Sequence, residues 1–230
     1  MIPIFVGYDS RETLNFSVLV NSLTRLASQP ISIIPINLES IDFYTEKHTD
    51  GSTAFSYSRF LVPYMMGYKG WAIFMDCDML ARTDVSELWS LCDSRYAIMC
   101  VQHNYQTSST VKFLGNVNRN YVRKNWSSVM LINCAHESNR ALTPVLVENQ
   151  TGQYLHQFKW LDDKLIGSLP AEWNWLADEY GANKDAKLIH YTLGSPCFEE
   201  YRNVPMADQW LKELYDLQST TNTVNKKSIS

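Results

Sequence analysis

Paired cysteines, a glycine-rich phosphate loop, excess positive charge and long apolar runs are all missing from this chain. The five cysteines are odd in number and share no short spacing (Cys77, Cys92, Cys100, Cys134, Cys197). That argues against a disulfide framework or a zinc site and for reduced thiols, so a cytoplasmic protein is expected. With 20 Lys and Arg against 24 Asp and Glu, the net charge is −4, which argues against a protein that tracks a nucleic-acid backbone. No segment approaches the roughly 18 uninterrupted apolar residues of a membrane span. The start, MIPIFVGYDSRE, reaches acids at once and is expected to be neither a signal peptide nor a span. A soluble protein without a transmembrane segment follows. Within VGYDSRE there is one glycine and one arginine, too few for the basic phosphate loop of a nucleotidyltransferase or sugar-nucleotide pyrophosphorylase. Internal repeats and domain linkers are lacking too, so one compact domain over 1–217 with a polar tail over 218–230 is expected.

What the chain does have is enough apolar residue, 45%, to fill one core over 230 residues. Aromatic residues reach 13%, which fits either a well-filled core or rings exposed along a sugar-binding groove. Ile2–Gly7 (IPIFVG) reads as a buried strand and Ile31–Ile36 as a second strand, around a helix over 11–27 whose Leu14, Val18, Leu19, Leu23 and Leu26 recur at helical spacing. Asp9 or Ser10 offers its N-cap. Strand, helix, strand within about 35 residues marks a right-handed βαβ unit in a mostly parallel sheet flanked by helices, an α/β fold. Further strands are expected over 71–75, 96–102, 127–132 and 187–191. Further helices are expected over 53–64, 84–91, 137–149, 160–167 and 206–217. The stretch 103–125 is polar and aperiodic, as an insertion or lid near a site would be.

The most informative stretch is Ile73-Phe74-Met75-Asp76-Cys77-Asp78, a greasy strand that ends in two acids one residue apart. Ligands of parallel α/β sheets sit at the carboxyl ends of strands. In extended backbone, residues i and i+2 point to the same side, so the two carboxylates converge. Such a pair needs a cation, a proton or a hydrogen-bond network, and oxygen ligands suit Mg²⁺ or Mn²⁺ bridging to phosphate. A bare Asp-x-Asp also arises by chance, and Asp78 could merely cap the next turn.

Several blocks stand in a specific order around that pair. They are Phe5-Val6-Gly7-Tyr8-Asp9, Ser56-Tyr57-Ser58-Arg59-Phe60, Asp76-Cys77-Asp78, Trp126 to Asn133, Leu161-Asp162-Asp163 and His190-Tyr191-Thr192-Leu193-Gly194. In that order they resemble the family 8 glycosyltransferases, the glycogenin-like and bacterial galactosyl- and glucosyltransferases of GT-A (Rossmann-like) fold. The resemblance implies a Mn²⁺- or Mg²⁺-dependent hexosyltransferase using a UDP-hexose, glucose or galactose, and a glycan or other hydroxyl acceptor, with retention of configuration. It implies Asp76, Asp78 and His190 as metal ligands; Tyr8, Asp9, Asp76, Cys77 and Gly194 at the donor nucleotide; and Arg59 on the pyrophosphate or donor sugar. Asp162 and Asp163 would stand at the reacting face and the sugar hydroxyls. The residues themselves leave plainer readings open: Tyr8 as strand-end packing, Arg59 as a solvated helix charge, Asp162 and Asp163 as helix-start acids, His190 as a core histidine and Gly194 as a turn glycine. Trp173-Asn174-Trp175 fits either a sugar-stacking wall or the core.

Two departures from the family pattern stand out. The late block usually carries a lysine for the diphosphate, whereas this chain reads Gly194-Ser195-Pro196-Cys197. Phosphate neutralisation then falls to the metal, Arg59 or another basic residue. The usual Asn-x-Gly reads Trp126-Ser127-Ser128, and the chain looks too short for a membrane-docking tail or a large acceptor domain. These departures keep a catalytically degenerate sugar-nucleotide or carbohydrate-binding module as the alternative, beside a phosphatase or nuclease using the same acids. Oligomeric state is silent in the sequence.

Overall fold

The computed structural model describes the backbone of residues 1–227 and side chains through Ser219. The strands are β1 (Ile2–Gly7), β2 (Ile31–Ile36), β3 (Trp71–Met75), β4 (Met79–Ala81), β5 (Ile98–Cys100), β6 (Val111–Lys112), β7 (Asn116–Val117), β8 (Val129–Asn133), β9 (Ile166–Ser168), β10 (Trp175–Leu176) and β11 (Leu188–His190). The α-helices are α1 (Thr13–Leu26), α2 (Val62–Met65), α3 (Val85–Trp89), α4 (Pro144–Asn149), α5 (Gly152–His156), α6 (Ala177–Tyr180) and α7 (Ala207–Lys227). Six strands form the main sheet in the order β2-β1-β3-β8-β5-β9. β1 pairs parallel with β2 and β3, and β5 with β9, while β8 runs antiparallel between β3 and β5. The β1-α1-β2 unit is the expected one, and the whole is one mixed α/β domain.

Continuous apolar runs explain the centre of the sheet: β3 from Ala72 to Met75 and all of β8 are buried on both faces. β2 lies at the edge, where Pro35 removes a backbone donor without breaking a ladder on its open side. A second sheet, β10-β11-β4, starts where the chain leaves β3, so residues 76–78 connect the two sheets. α1 packs against β4 and α7. Val18, Leu80, Ile189, Tyr191 and Trp210 make a small second core there.

Several expected elements come out differently, each for a local reason. The helix expected over 53–64 is a run of turns, a 3-10 segment (Ser58–Leu61) and the single turn of α2. The carbonyls of Phe55 and Ser56 accept from Arg59 Nε, at 3.4 and 3.0 Å, instead of serving an α-helix. The helix expected over 137–149 breaks into a 3-10 segment (Glu137–Ala141) and α4, because Thr143 caps a new start with Pro144 in its first turn. The helix expected over 160–167 is a 3-10 turn (Asp163–Leu165) running into β9. β4, α5 and β10 are short elements that periodicity does not reveal. The final helix continues past the expected Leu217 to Lys227, and 228–230 of the expected tail lie outside the described residues. Among the described residues, no helix is long and apolar enough to cross a membrane.

Candidate metal and donor site

Asp76 and Asp78 sit in the connector between the sheets, and His190 ends β11, paired in register with Met79. One ligand atom from each of the three lies within 4.8 Å of the other two, a spacing that one cation can bridge. The carboxylate oxygens Asp76 Oδ1 and Asp78 Oδ1 are buried and accept no aligned hydrogen bond. Buried acceptors left this way are costly unless a cation or proton meets them.

The imidazole of His190 is set for coordination. Its Nδ1 lies 2.8 Å from Asn174 Oδ1, while Asn174 Nδ2 donates to the Asn125 carbonyl at 3.1 Å. With its amide nitrogen spent on a carbonyl, Asn174 presents an acceptor to the ring, which puts the proton on Nδ1. Nε2 then faces Asp78, whose Oδ1 is 3.3 Å away; without a metal the carboxylates favour a proton there, and a cation would take that proton's place. A histidine oriented by a polar partner on its other nitrogen is the usual arrangement at a metal.

The charges around the group are unequal. Burial pushes the Asp76 carboxyl up to about 6, against the pull of Arg59. Burial also disfavours a charged His190, but the Asp78 and Asp76 carboxylates outweigh it and hold the imidazole above its ordinary value. Glu12, 2% exposed, is pushed up to about 8 by burial and then by Asp78. Its Oε1 accepts from Asn15 Nδ2 at 3.1 Å, and its Oε2 has no partner. Asp178 rises to about 6, mainly by burial, although Leu193 N–H donates to it. Anionic charge thus exceeds what Arg59 and His190 offset, and a divalent cation fits this donor set of two carboxylates and an imidazole.

Arg59 is 5% exposed, not a solvated helix charge. Its guanidinium lies between the rings of Phe55 and Phe74 and approaches Asp76 Oδ1 at 2.8 Å. The same Nη1 is aligned on the Ser127 carbonyl at 2.9 Å, so the contact to Asp76 is one of charge rather than of direction.

Asp76, Asp78, His190 and Arg59 line a cleft of about 850 Å³ together with Tyr57, Lys112, Tyr121, His156 and Thr192. That volume suits a nucleotide-sized ligand. The 103–125 segment forms part of its wall through the β6-β7 hairpin and the residues after it. Side-chain amides hold this aperiodic stretch: Asn118 bonds Thr107 and Ser109, and Asn120 closes on the Thr107 backbone from both sides. His156, half-buried in the wall, contacts Ser127 Oγ at 2.8 Å; desolvation, then Arg59 and Lys112, keep it well below the ordinary histidine range and neutral.

Other residues singled out in the sequence lie apart from the metal group. Asp9 is saturated: it caps the turn before α1, pairs with Arg11 and accepts from Ala54 N–H at 2.9 Å. Tyr8 packs edge-on against Phe16, its hydroxyl 3.2 Å from Thr13 Oγ1. The Cys77 side chain is fully buried in the core, and burial raises its thiol well above the ordinary value. Gly194 makes room for Tyr201, whose ring atoms would lie 2.3–2.6 Å from any added Cβ. Asp162 and Asp163 are exposed at 55% and 79% and do not line the cleft. Asp162 caps the 3-10 turn and pairs with Lys164, and Asp163 pairs with Arg123 at 2.6 Å. Trp173 packs in the core, Trp175 is half-buried and donates to the Gly181 carbonyl, and neither lines the cleft. Asn174 between them serves His190. Glu12, Lys112 and His156 carry no sequence signal of their own, since their roles come from distant contacts; the aperiodic 103–125 segment that holds Lys112 is expected near a site, and Asn174 is expected in a sugar wall or the core rather than as the partner of His190.

No family model matches this chain. Solved structures of similar shape include the bifunctional glycosyltransferase WbbM (TM-score 0.66, 15% identity, 93% of this chain and 49% of that one). Two more are GlyE of Streptococcus pneumoniae TIGR4 (0.61, 15%, 99% and 64%) and the galactosyltransferase LgtC (0.59, 13%, 94% and 96%). At such identities the likeness shows the fold, that of the GT-A glycosyltransferases. This chain spans about half the length of WbbM and under two thirds of GlyE. Protein CDI of Arabidopsis thaliana is 44% identical over 233 residues, covering 97% of this chain and 88% of that protein. Identity of that depth over nearly the whole length of both places this chain in the family of Protein CDI.

Proposed function

We propose that the chain is a glycosyltransferase that moves a hexose from a nucleotide sugar, UDP-glucose or UDP-galactose by default, to a hydroxyl of a glycan or similar acceptor. The single observation that carries this reading is the convergence of Asp76, Asp78 and an oriented His190 at the floor of a nucleotide-sized cleft. A GT-A fold around that group supports it. Mn²⁺, or Mg²⁺, is the cation proposed for the three ligands; when bound it would stabilise the charge that develops on the leaving diphosphate. Arg59 opposes by its charge the burial that raises the Asp76 carboxyl. Asn174 holds the His190 ring and its tautomer. His156, neutral and hydrogen-bonded to Ser127, offers the cleft an uncharged polar wall suited to sugar hydroxyls.

Retention of configuration belongs to the same proposal, as do nucleotide contacts from the Tyr8-Asp9 and Gly194 loops. The exposed Asp162 and Asp163 would enter it only from the rim. Five free thiols support a reducing compartment, the cytoplasm.

The test is a donor panel with excess Mn²⁺, reading released nucleoside diphosphate for wild type and Asp78→Ala. Release from one UDP-sugar that disappears with EDTA and in the variant is the expected outcome. No release, with no metal-dependent nucleotide binding, would move the chain to the non-catalytic binding module.

A further inference from the structure

The β6-β7 hairpin is turned inside out relative to a ribbon on a soluble surface. Lys112 and Asn116 face one another across it, half-buried and lining the cleft, whereas the other pair, Val111 and Val117, is exposed, with Val117 at the cleft's edge. Successive strand residues alternate faces, so this register sends the cation inward. The hairpin is fastened close to the metal ligands. Phe113 N–H donates to the Leu193 carbonyl at 2.6 Å, three residues beyond His190, and the Phe113 ring stacks on Phe198 at 5.5 Å.

Lys112 has little to do with its charge in the protein alone. Its Nζ donates to Ser52 Oγ at 2.9 Å, and among the described residues it makes no ion pair. An ammonium carries three donors, so two remain for something in the cleft. Of the other cations lining the cleft, Lys124 is buried and bonds Asn118 Oδ1 and the Arg119 carbonyl, Arg59 serves backbone carbonyls and Asp76, and Arg119 is exposed. Lys112 lines the same cleft as Asp76, Asp78 and His190; burial lowers its ammonium below the ordinary value, and the Asp78 and Asp76 carboxylates oppose that.

We propose that Lys112 binds the diphosphate of the donor, supplying from the hairpin the positive charge that Gly194-Ser195-Pro196-Cys197 lacks. The assignment rests on the donor-site reading above and names the residue that meets the phosphates. A compact ammonium is suited to phosphate as a point charge.

The experiment titrates UDP and uridine, each with Mn²⁺, into wild type, Lys112→Met and Lys112→Arg. The expected result is a loss of about ten- to a hundredfold in UDP affinity for Lys112→Met, partial recovery in Lys112→Arg and no change for uridine. Equal UDP affinity in wild type and Lys112→Met overturns the assignment. A wild type that binds neither UDP, GDP nor ADP with Mn²⁺ overturns the donor reading itself, which is a different result. Should Lys112→Met fail to fold, amine acylation of wild type followed by mass spectrometry decides. Slower labelling of Lys112 with Mn²⁺ and UDP than with Mn²⁺ and uridine supports the proposal, with exposed Lys212 as the internal reference; equal labelling overturns it.

Discussion

Among single residues, Glu12 shows what the site costs the fold. It is buried, one oxygen is unpartnered, and Asp78 adds like charge to the desolvation. Its carboxyl titrates at about 8 in the folded protein against 4.5 ordinarily. Between those values the folded state holds a proton that the unfolded state has released, so stability falls as pH rises through this window. Below 4.5 both states are neutral at this group and it contributes nothing. Glu12→Gln copies the protonated form. In metal-free protein the variant should match wild type near pH 4 and exceed it increasingly up to about pH 8, by an amount on the order of a few kcal/mol. Urea unfolding with EDTA across that range measures it, and a pH-independent difference would sink the idea. Asp76 and Asp78 are legible in the sequence because a greasy strand ending in two acids is unusual. Glu12 is not, since an acid near a helix start reads as a dipole partner until its burial is known. The pair Asp162-Asp163 shows the same ambiguity from the other side: it has the right composition, yet it caps a turn on the surface.

At the level of elements, β1, β2 and β3 match their expected bounds because each is a short, continuous apolar run, buried in β1 and β3 and half-buried at the edge in β2. The stretch from 160 to 167 reads as a helix because Trp160, Leu161, Leu165 and Ile166 recur at helical spacing, and only packing decides otherwise. β9 lies at the sheet edge, and there Gly167 is decisive: an added Cβ would stand 2.7 Å from the Tyr96 ring and 2.8 Å from Met99. The glycine lets those side chains lie across the strand. Gly167→Ala should therefore cost about 1–3 kcal/mol, as overpacking does, and loosen β9 from β5. Hydrogen exchange should show faster amides in 166–168 and unchanged ones in β1. Unaltered stability would mean that Tyr96 and Met99 swing aside without loss. Helix ends set by capping, as at Thr143-Pro144, are legible once the cap is weighed above periodicity.

Over the whole molecule, the candidate metal group is a joint between two cores. Asp76 leaves the main sheet, Asp78 leads into β4, and His190 ends β11, with the last two strands belonging to the small sheet. The main sheet has its own extensive core, but the small one depends on α7. Trp210 is fully buried in the same cluster as Ile189 and Tyr191, and the Tyr191 hydroxyl donates to the Met206 carbonyl at 2.9 Å. Glu213 fastens the same helix to α1 through Arg25 and Asn21. His190 lies between the two residues that touch this arrangement, so its position relative to the Asp pair is set by α7 from outside the cleft. Trp210→Ala should cost about 3–5 kcal/mol as a large-to-small core change and weaken Mn²⁺ binding as well. Leu142→Ala, in the main core near α4, should cost about 2–5 kcal/mol and leave Mn²⁺ affinity unchanged in the protein that remains folded. Denaturant melts give the first quantity, and Mn²⁺ titration well below the melting range gives the second. If Trp210→Ala loses stability yet binds Mn²⁺ as wild type does, the His190 strand is held by β4 alone and the joint does not extend to α7.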